Sequence, residues 1–400
     1  MSWKTKSRGV HGLLLGAMGL AVGAATIPLT GCQNFFVCQK ASCPSSGSGT
    51  TGTGDYVYVS NSASGATYVS AYQIGTGTLT AISGAPYNLS YVPVAMAVSP
   101  NNSFLYVAAA PGTSYSGLYV YPISSTTGAL SSGSELESAE ISSMAISADG
   151  NFLYTLDATT GAVLTQYALN TSTGAVTGIT SFATPGGPAG LGCPVSSATP
   201  SSATCAVAVS PSETFVAASL GTNGTVIFPY TSSAGITNTN YTGTIASPSN
   251  ASGDYSLAFD TSGYLYIART VELTPYSSLS ATSPTAGSSQ TFSSGMVPRS
   301  VTLSTGYNYV YTADEGASEI SAFSVSSGVL SALSGSPVLA PTSVSALAAE
   351  RSGAYLLAAG YNTTNGLEMF PISSTGLSTT VASEGTGTTT TIPVVMAVTH

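Results

Sequence analysis

Residues 144–155 read Met144-Ala145-Ile146-Ser147-Ala148-Asp149-Gly150-Asn151-Phe152-Leu153-Tyr154-Thr155. A short run of small and aliphatic residues enters a polar turn, and an aromatic and aliphatic run leaves it. Ser, Asp, Gly and Asn reverse the chain through local side-chain hydrogen bonds and left-handed backbone, so the two runs are predicted to be adjacent strands. The second run recurs as Tyr56–Val59, Phe104–Val107, Phe215–Ala218, Tyr264–Ile267, Tyr309–Thr312 and Tyr355–Ala358, giving seven copies in all. With Tyr58, Tyr106, Tyr154, Ala217, Tyr266, Tyr311 and Leu357 taken as equivalent, successive steps are 48, 48, 63, 49, 45 and 46 residues. That period is the length of a four-stranded propeller blade and exceeds an ankyrin or leucine-rich unit.

Six copies follow a small-residue strand: Met96–Ser99, Met144–Ser147, Val207–Ser210, Leu257–Asp260, Val301–Ser304 and Leu347–Glu350. Small side chains suit strands crowded about an axis. A third strand follows each aromatic one, as in Ala66–Tyr72, Gly117–Pro122 and Thr225–Tyr230, and a Gly-rich turn then leads to an outer strand such as Leu79–Ser83 or Leu330–Ser334. Pro122, Pro229, Pro275 and Pro371 in the third strands lack a ladder donor, which suits the outer side of a blade. The seventh small strand, Met396-Ala397-Val398-Thr399, has no aromatic strand after it, and Tyr56–Val59 has no small strand before it. The prediction is an all-β, seven-bladed β-propeller with four-stranded blades, its first blade closed by the C-terminal strand. Closure removes the exposed sheet edge. A plain β-sandwich, the alternative, leaves the matching triplets unexplained.

Outside the repeat, Lys4, Lys6 and Arg8 precede an apolar run from Val10 to Leu29, the form of an export signal. The run ends in Leu29-Thr30-Gly31-Cys32, which resembles a bacterial lipoprotein processing site with Cys32 as the lipidated residue. An uncleaved membrane anchor is the alternative. The expected organisation is therefore a signal peptide over 1–31, a lipidated N-terminus and Gly/Ser/Thr-rich tether over 32–54, and the propeller over 55–400. The expected location is the bacterial cell envelope, lipid-anchored and extracytoplasmic. Four cysteines remain in an oxidising setting, so disulfides are expected within the sequence-local pairs Cys38 with Cys43 and Cys193 with Cys205, the latter inside the 63-residue step. Separate buried thiols are the alternative for that second pair.

Beyond the signal, Lys40, Arg269, Arg299 and Arg351 face sixteen acidic residues, a net charge of -12. Successive phosphates could not be neutralised, which excludes a nucleic-acid groove. With 6% charged and 43% hydrophobic residues, the chain also lacks the composition of a charge-rich disordered protein. No cofactor and no metal site are expected: the cysteines lack the companions of a zinc site, and no Gly-rich phosphate loop precedes a helix. His400 is the one histidine beyond the signal and falls at the far end of an inner strand, which disfavours a Ser/His/Asp triad. Tyrosines at strand positions, such as Tyr106 and Tyr154, are read as packing between blades.

In a blade that runs outward from its axial strand, connections into the first strand and out of the second emerge on one face. That rule sorts Glu140, Asp157, Asp254, Arg269, Arg299, Asp314 and Glu315 to one face and Asp149, Asp260, Glu350 and Arg351 to the other. The first face is the candidate site, with guanidinium groups to grip an acyl oxygen and a carboxylate to orient water.

The repeated Phe/Tyr-Leu/Val-Tyr-Val strand and the small strand before it resemble the YVTN-type repeats of the seven-bladed lactonase-like propeller family, from Asp55 to His400. Val297-Pro298-Arg299-Ser300-Val301 is similar to a family stretch Pro-Arg-His, and Tyr311-Thr312-Ala313-Asp314-Glu315 to a family stretch Tyr-Val-x-Asn-Glu. The resemblance implies hydrolysis of a sugar lactone or related ester, with Arg299 and Glu315 as the matched site residues and Arg269 and Asp314 beside them. Ser300 stands where the family has histidine, the side chain suited to proton transfer near neutral pH. The competing expectation is a non-catalytic envelope module that binds glycan or protein. The partners expected are thus membrane lipid through Cys32 and a small carbohydrate lactone, a glycan or an envelope protein.

Overall fold

The computed structural model describes residues 55–400 apart from 64–65, 111–113, 158–162, 185–204, 239–240, 248–252, 293–296, 305–306, 362–363 and 386–393. The described strands form seven antiparallel sheets, and each of the seven repeats occupies one of them. Blade 1 runs from its inner strand Met396–Val398 through Tyr56–Ala63 and Ala66–Gly75 to Thr78–Ala81. Blade 6, which carries most of the candidate site, runs Pro298–Leu303, Tyr309–Asp314, Glu319–Ser326 and Val329–Ala332. In blades 1, 5, 6 and 7 a further short strand also pairs with the third, so the outer edge is built in two pieces. Each inner strand contacts the next around the ring, and Ala346–Ala349 of blade 7 contacts Met396–Val398 of blade 1.

Alternation within the aromatic strands explains why both of their sides are buried. In blade 2, Leu105 and Val107 pack toward blade 1, while Phe104, Tyr106 and Ala108 pack toward blade 3. Seven apolar clusters result among the described residues, one per junction between neighbouring blades. The strand tyrosines expected to pack do so: Tyr106 is 1% and Tyr154 0% exposed. The hydroxyls of Tyr58, Tyr106 and Tyr154 find local acceptors, Tyr58 donating to the Gly128 carbonyl at 2.7 Å, whereas the Tyr311 hydroxyl has none among the described residues. Gly128 has φ 67°, and a Cβ there would meet the Tyr56 ring at 2.5 Å, so only glycine allows that approach.

The turn after each inner strand repeats one device. A side-chain oxygen of Ser99, Ser147, Ser210, Asp260, Ser304 or Glu350 accepts the N–H of Phe104, Phe152, Phe215, Tyr264, Tyr309 or Tyr355, respectively, at 2.8–3.2 Å. In blade 1 the same bond joins residues 343 apart: Tyr56 donates its N–H to Thr399 Oγ1 at 2.7 Å. Val57, Tyr58 and Val59 pair with Val398, Ala397 and Met396, so the predicted closure by the C-terminal strand is what the fold contains.

His400 extends the closure into blade 2. Its N–H donates to Asn102 Oδ1 at 2.8 Å, Asn102 Nδ2 donates to its carbonyl at 2.7 Å, and its Nε2 lies 3.3 Å from the Val98 carbonyl. Burial, with a contribution from the Arg351 charge, lowers the imidazole pKa to about 4, although the Val98 carbonyl opposes this. The unfolded chain then takes up the proton first. Stability from the neutral ring is complete above pH 6.5 and is lost as pH falls toward 4, by on the order of 2 kcal/mol. A His400→Gln variant should flatten the melting temperature between pH 6.5 and 4; an unchanged slope would refute the assignment.

Among the described residues no two cysteines are joined, because Cys38, Cys43 and Cys193 lie outside them; Cys205, the one cysteine they include, is itself disulfide-bonded. Cys205 is 5% exposed in the apolar cluster between blades 3 and 4, among Val207, Leu220 and Phe182. The expected signal, the lipidated Cys32 and the tether also lie outside the described residues.

Candidate active site

Strand pairing tests the sorting of charges by face. Asp254 opposes Arg269, Pro298 opposes Asp314 and Ile141 opposes Asp157, so starts of inner strands and ends of second strands share one face. Asp149, Asp260 and Glu350 sit in the inner turns at the opposite end, as sorted.

Arg299 owes its position to a break in register. Pro298 pairs with Asp314 and Ser300 with Ala313, leaving Arg299 as the extra residue of a bulge. A bulge re-aims its side chain without ending the strand. The turn opposite is tied to this segment: Asp314 Oδ1 accepts the N–H groups of Val297 and Gly316, each at 2.9 Å, and the Glu315 N–H donates to the Val297 carbonyl at 3.1 Å. Asp314 is fully buried and therefore positions the two chain segments. Arg299 Nε then donates to Glu315 Oε2, and the second oxygen, Oε1, accepts the Tyr361 hydroxyl at 2.9 Å. Burial, followed by the Glu315 charge and hydrogen bond, pushes the Tyr361 phenol up against the opposing pull of Arg299. Tyr361 thus keeps its proton at neutral pH and acts as the donor. The group spans blades 6 and 7, since the Tyr361 N–H is held by the Thr342 carbonyl at 2.8 Å.

Ser300 has a separate task. Its Oγ accepts the Leu347 N–H of blade 7 at 3.2 Å, and the equivalent Ser143 and Ser256 accept Val207 and Val301 at 3.1 and 3.0 Å. The residue in the histidine position of the resembled family is here one clamp in a repeated set joining inner strands.

Arg269 lies at the junction of blades 4 and 5 and is 0% exposed. Its Nε is 2.6 Å from Asp254 Oδ1, Nη1 is 3.1 Å from Thr274 Oγ1 and 3.4 Å from Glu272 Oε1, and Nη2 is 3.1 Å from the Tyr276 hydroxyl. Asp254 Oδ2 accepts the Thr225 hydroxyl of blade 4 at 2.6 Å. Burial raises the Asp254 carboxyl above its ordinary pKa even against Arg269. Of the four expected site residues, the structure brings Arg299, Asp314 and Glu315 together and places Arg269 in a buried brace at another junction. Tyr361 was not foreseen. Its signal is weak: a tyrosine soon after the aromatic strand of blade 7, 46 residues from its partner.

The architecture defines a class, the seven-bladed β-propellers, and solved structures share it at low sequence identity. Among solved structures, a Bacteroides fragilis protein provisionally assigned as a 6-phosphogluconolactonase superposes with a TM-score of 0.65 at 15% identity, covering 88% of this chain and 100% of its own. The periplasmic gluconolactonase PpgL of Pseudomonas aeruginosa superposes with a TM-score of 0.62 at 14% identity, covering 85% and 99%. A Desulfotomaculum acetoxidans protein of unknown function superposes at 0.58 with 15% identity, covering 87% and 99%. No protein-family model and no curated protein sequence matches the chain.

Proposed function

We propose that the protein is an exported, lipid-anchored hydrolase of a neutral sugar lactone or related ester, acting at the junction of blades 6 and 7. The observation that carries the reading is Glu315, oriented by Arg299 on one oxygen and Tyr361 on the other. Each carboxylate oxygen retains acceptor capacity after one hydrogen bond. Glu315 takes a proton from water as the water oxygen attacks the ring carbonyl, Arg299 stabilises the developing oxyanion, and the ring C–O bond then breaks as Glu315 returns the proton to the leaving oxygen, giving a hydroxy acid. A neutral substrate fits better than a phosphorylated one, because sixteen acidic residues oppose four basic ones beyond the signal. The likeness to PpgL, named for its periplasmic location, agrees with an extracytoplasmic setting.

The test is a panel of neutral aldonolactones followed by pH-stat. Acid release above the buffer rate is expected, and its absence across the panel would count against the hydrolase. The second reading, a non-catalytic envelope module binding glycan or protein, is favoured by Ser300, whose hydroxyl is committed to the blade 7 clamp where the resembled family has histidine. Lipid attachment has its own measurement: Cys32→Ala should lose incorporated radiolabelled palmitate and leave the membrane fraction, and a variant that still takes up label would show that Cys32 is not the acceptor.

A further inference from the structure

On the face opposite the candidate active site, a cleft of about 350 Å³ opens between blades 5 and 6. Its walls are the inner turn of blade 5 (Asp260 and Tyr264), the inner turn of blade 6 (Tyr307 and Asn308) and the hairpin at Ser326 and Ser327. That volume lies at the lower end of the ~300–1,000 Å³ usual for small-molecule sites.

Hydrogen bonds and a ring stack tie the described wall residues to the blades. Tyr307 is 37% exposed, and its ring stacks on Tyr309 with centroids 5.3 Å apart and planes 8° apart. Tyr309 is itself anchored, donating its hydroxyl to the Ser374 carbonyl at 2.8 Å, and the Ser304 hydroxyl donates to the Tyr307 carbonyl. Across the cleft, Asp260 Oδ1 accepts the N–H groups of Ser262 and Tyr264 at 2.9 and 2.8 Å, and Oδ2 accepts the Tyr266 hydroxyl at 2.8 Å. The Asn308 carbonyl accepts the Val325 N–H at 2.7 Å, which ties the blade 6 turn to the strand beside it. Pre-organised walls spare a ligand the entropy of ordering them.

The chemistry of the lining selects the ligand class. Two tyrosine rings offer flat apolar surface, while serine and threonine hydroxyls, the Asn308 amide and the Asp260 carboxylate supply donors and acceptors. Among the described residues the lining contains no Lys, Arg or His, so a phosphate, sulfate or uronate would meet one carboxylate and no cation there. An aliphatic ligand would leave the polar groups desolvated without partners. We propose that this cleft binds a neutral saccharide, with one sugar ring lying against Tyr307 and its hydroxyls bonded to Asn308 and Asp260. The site is separate from the proposed hydrolytic centre and stands whether or not lactones are turned over.

The experiment is calorimetric titration of the full chain with methyl β-glucoside, methyl β-galactoside, lactose and N,N′-diacetylchitobiose, with galacturonate as the anionic counterpart. At least one neutral sugar should bind at millimolar concentration, with galacturonate weaker. Tyr307→Ala should weaken that binding by about tenfold, equivalent to ~1.4 kcal/mol. Ser326→Trp, which fills the cleft from an exposed position on another strand, should abolish it with the circular dichroism spectrum unchanged. Lactone turnover, if measurable, should be the same in both variants. No binding by any neutral sugar, binding indifferent to both substitutions, or galacturonate bound as tightly as galactoside would each overturn the proposal.

Discussion

Glu315→Gln is expected to lower lactone turnover by roughly 100-fold, at the lower end of what loss of a general base costs. The amide is nearly isosteric, and its oxygen can still accept from one neighbour. It cannot accept a proton from water, and its NH₂ would face either the Arg299 donor or the Tyr361 hydroxyl, the two groups that now hold the carboxylate. Most of the effect should therefore fall on kcat. Tyr361→Phe provides the contrast: it removes one orienting donor and leaves the carboxylate in place, so a smaller loss, roughly tenfold, is expected for a positioning residue. That loss should fall on kcat with KM unchanged, since a less well oriented base leaves the substrate contacts intact. Wild-type and Glu315→Gln rates that coincide would remove Glu315 from the reaction. A Tyr361→Phe loss equal to that of Glu315→Gln would give the phenol a larger part than orientation.

The fold was legible because a propeller writes its structure into the chain repeatedly. The side-chain oxygen after each inner strand is visible as Ser99, Ser147, Ser210, Asp260, Ser304, Glu350 and Thr399, and its place in the repeat aligns Thr399 with the others. The site was less legible, since its members come from different copies. Arg299 and Glu315 flank two strands of one hairpin and were within reach of a pattern; Tyr361 belongs to the next blade and meets Glu315 only because the blades pack edge to edge around the ring. The cleft between blades 5 and 6 was hidden for the same reason, being assembled from turns of two repeats. Facial sorting was reliable at the level of strand ends and silent on radial direction. Arg269 shares a face with Arg299, yet it continues the alternation of Leu265 and Ile267, which pack toward blade 4. Glu272, Thr274 and Tyr276 alternate on the adjacent strand to receive it, a polar stripe that the sequence displayed and composition alone did not flag.

That direction sets the largest expected effect on stability. Arg269→Met keeps much of the side-chain volume and removes every guanidinium donor from the blade 4–5 junction. Asp254 would be left with the Thr225 hydroxyl and the Gly221 carbonyl contact of its own N–H, at 0% exposure, with no cation beside it. An uncompensated buried carboxylate costs about 3–5 kcal/mol when its partner is removed, so Arg269→Met should lower the free energy of unfolding by that amount in equilibrium urea denaturation. The pair as a whole contributes far less than this. Desolvating two ions nearly cancels their attraction, and Asp254→Leu combined with Arg269→Met should recover most of the loss. A single-variant loss below about 1 kcal/mol would mean that water reaches the junction and screens the charge. The same variants separate stability from chemistry. If Arg269 serves only as a brace, turnover per folded molecule in the double variant should match the wild type, whereas a stable double variant without turnover would return Arg269 to the reacting centre.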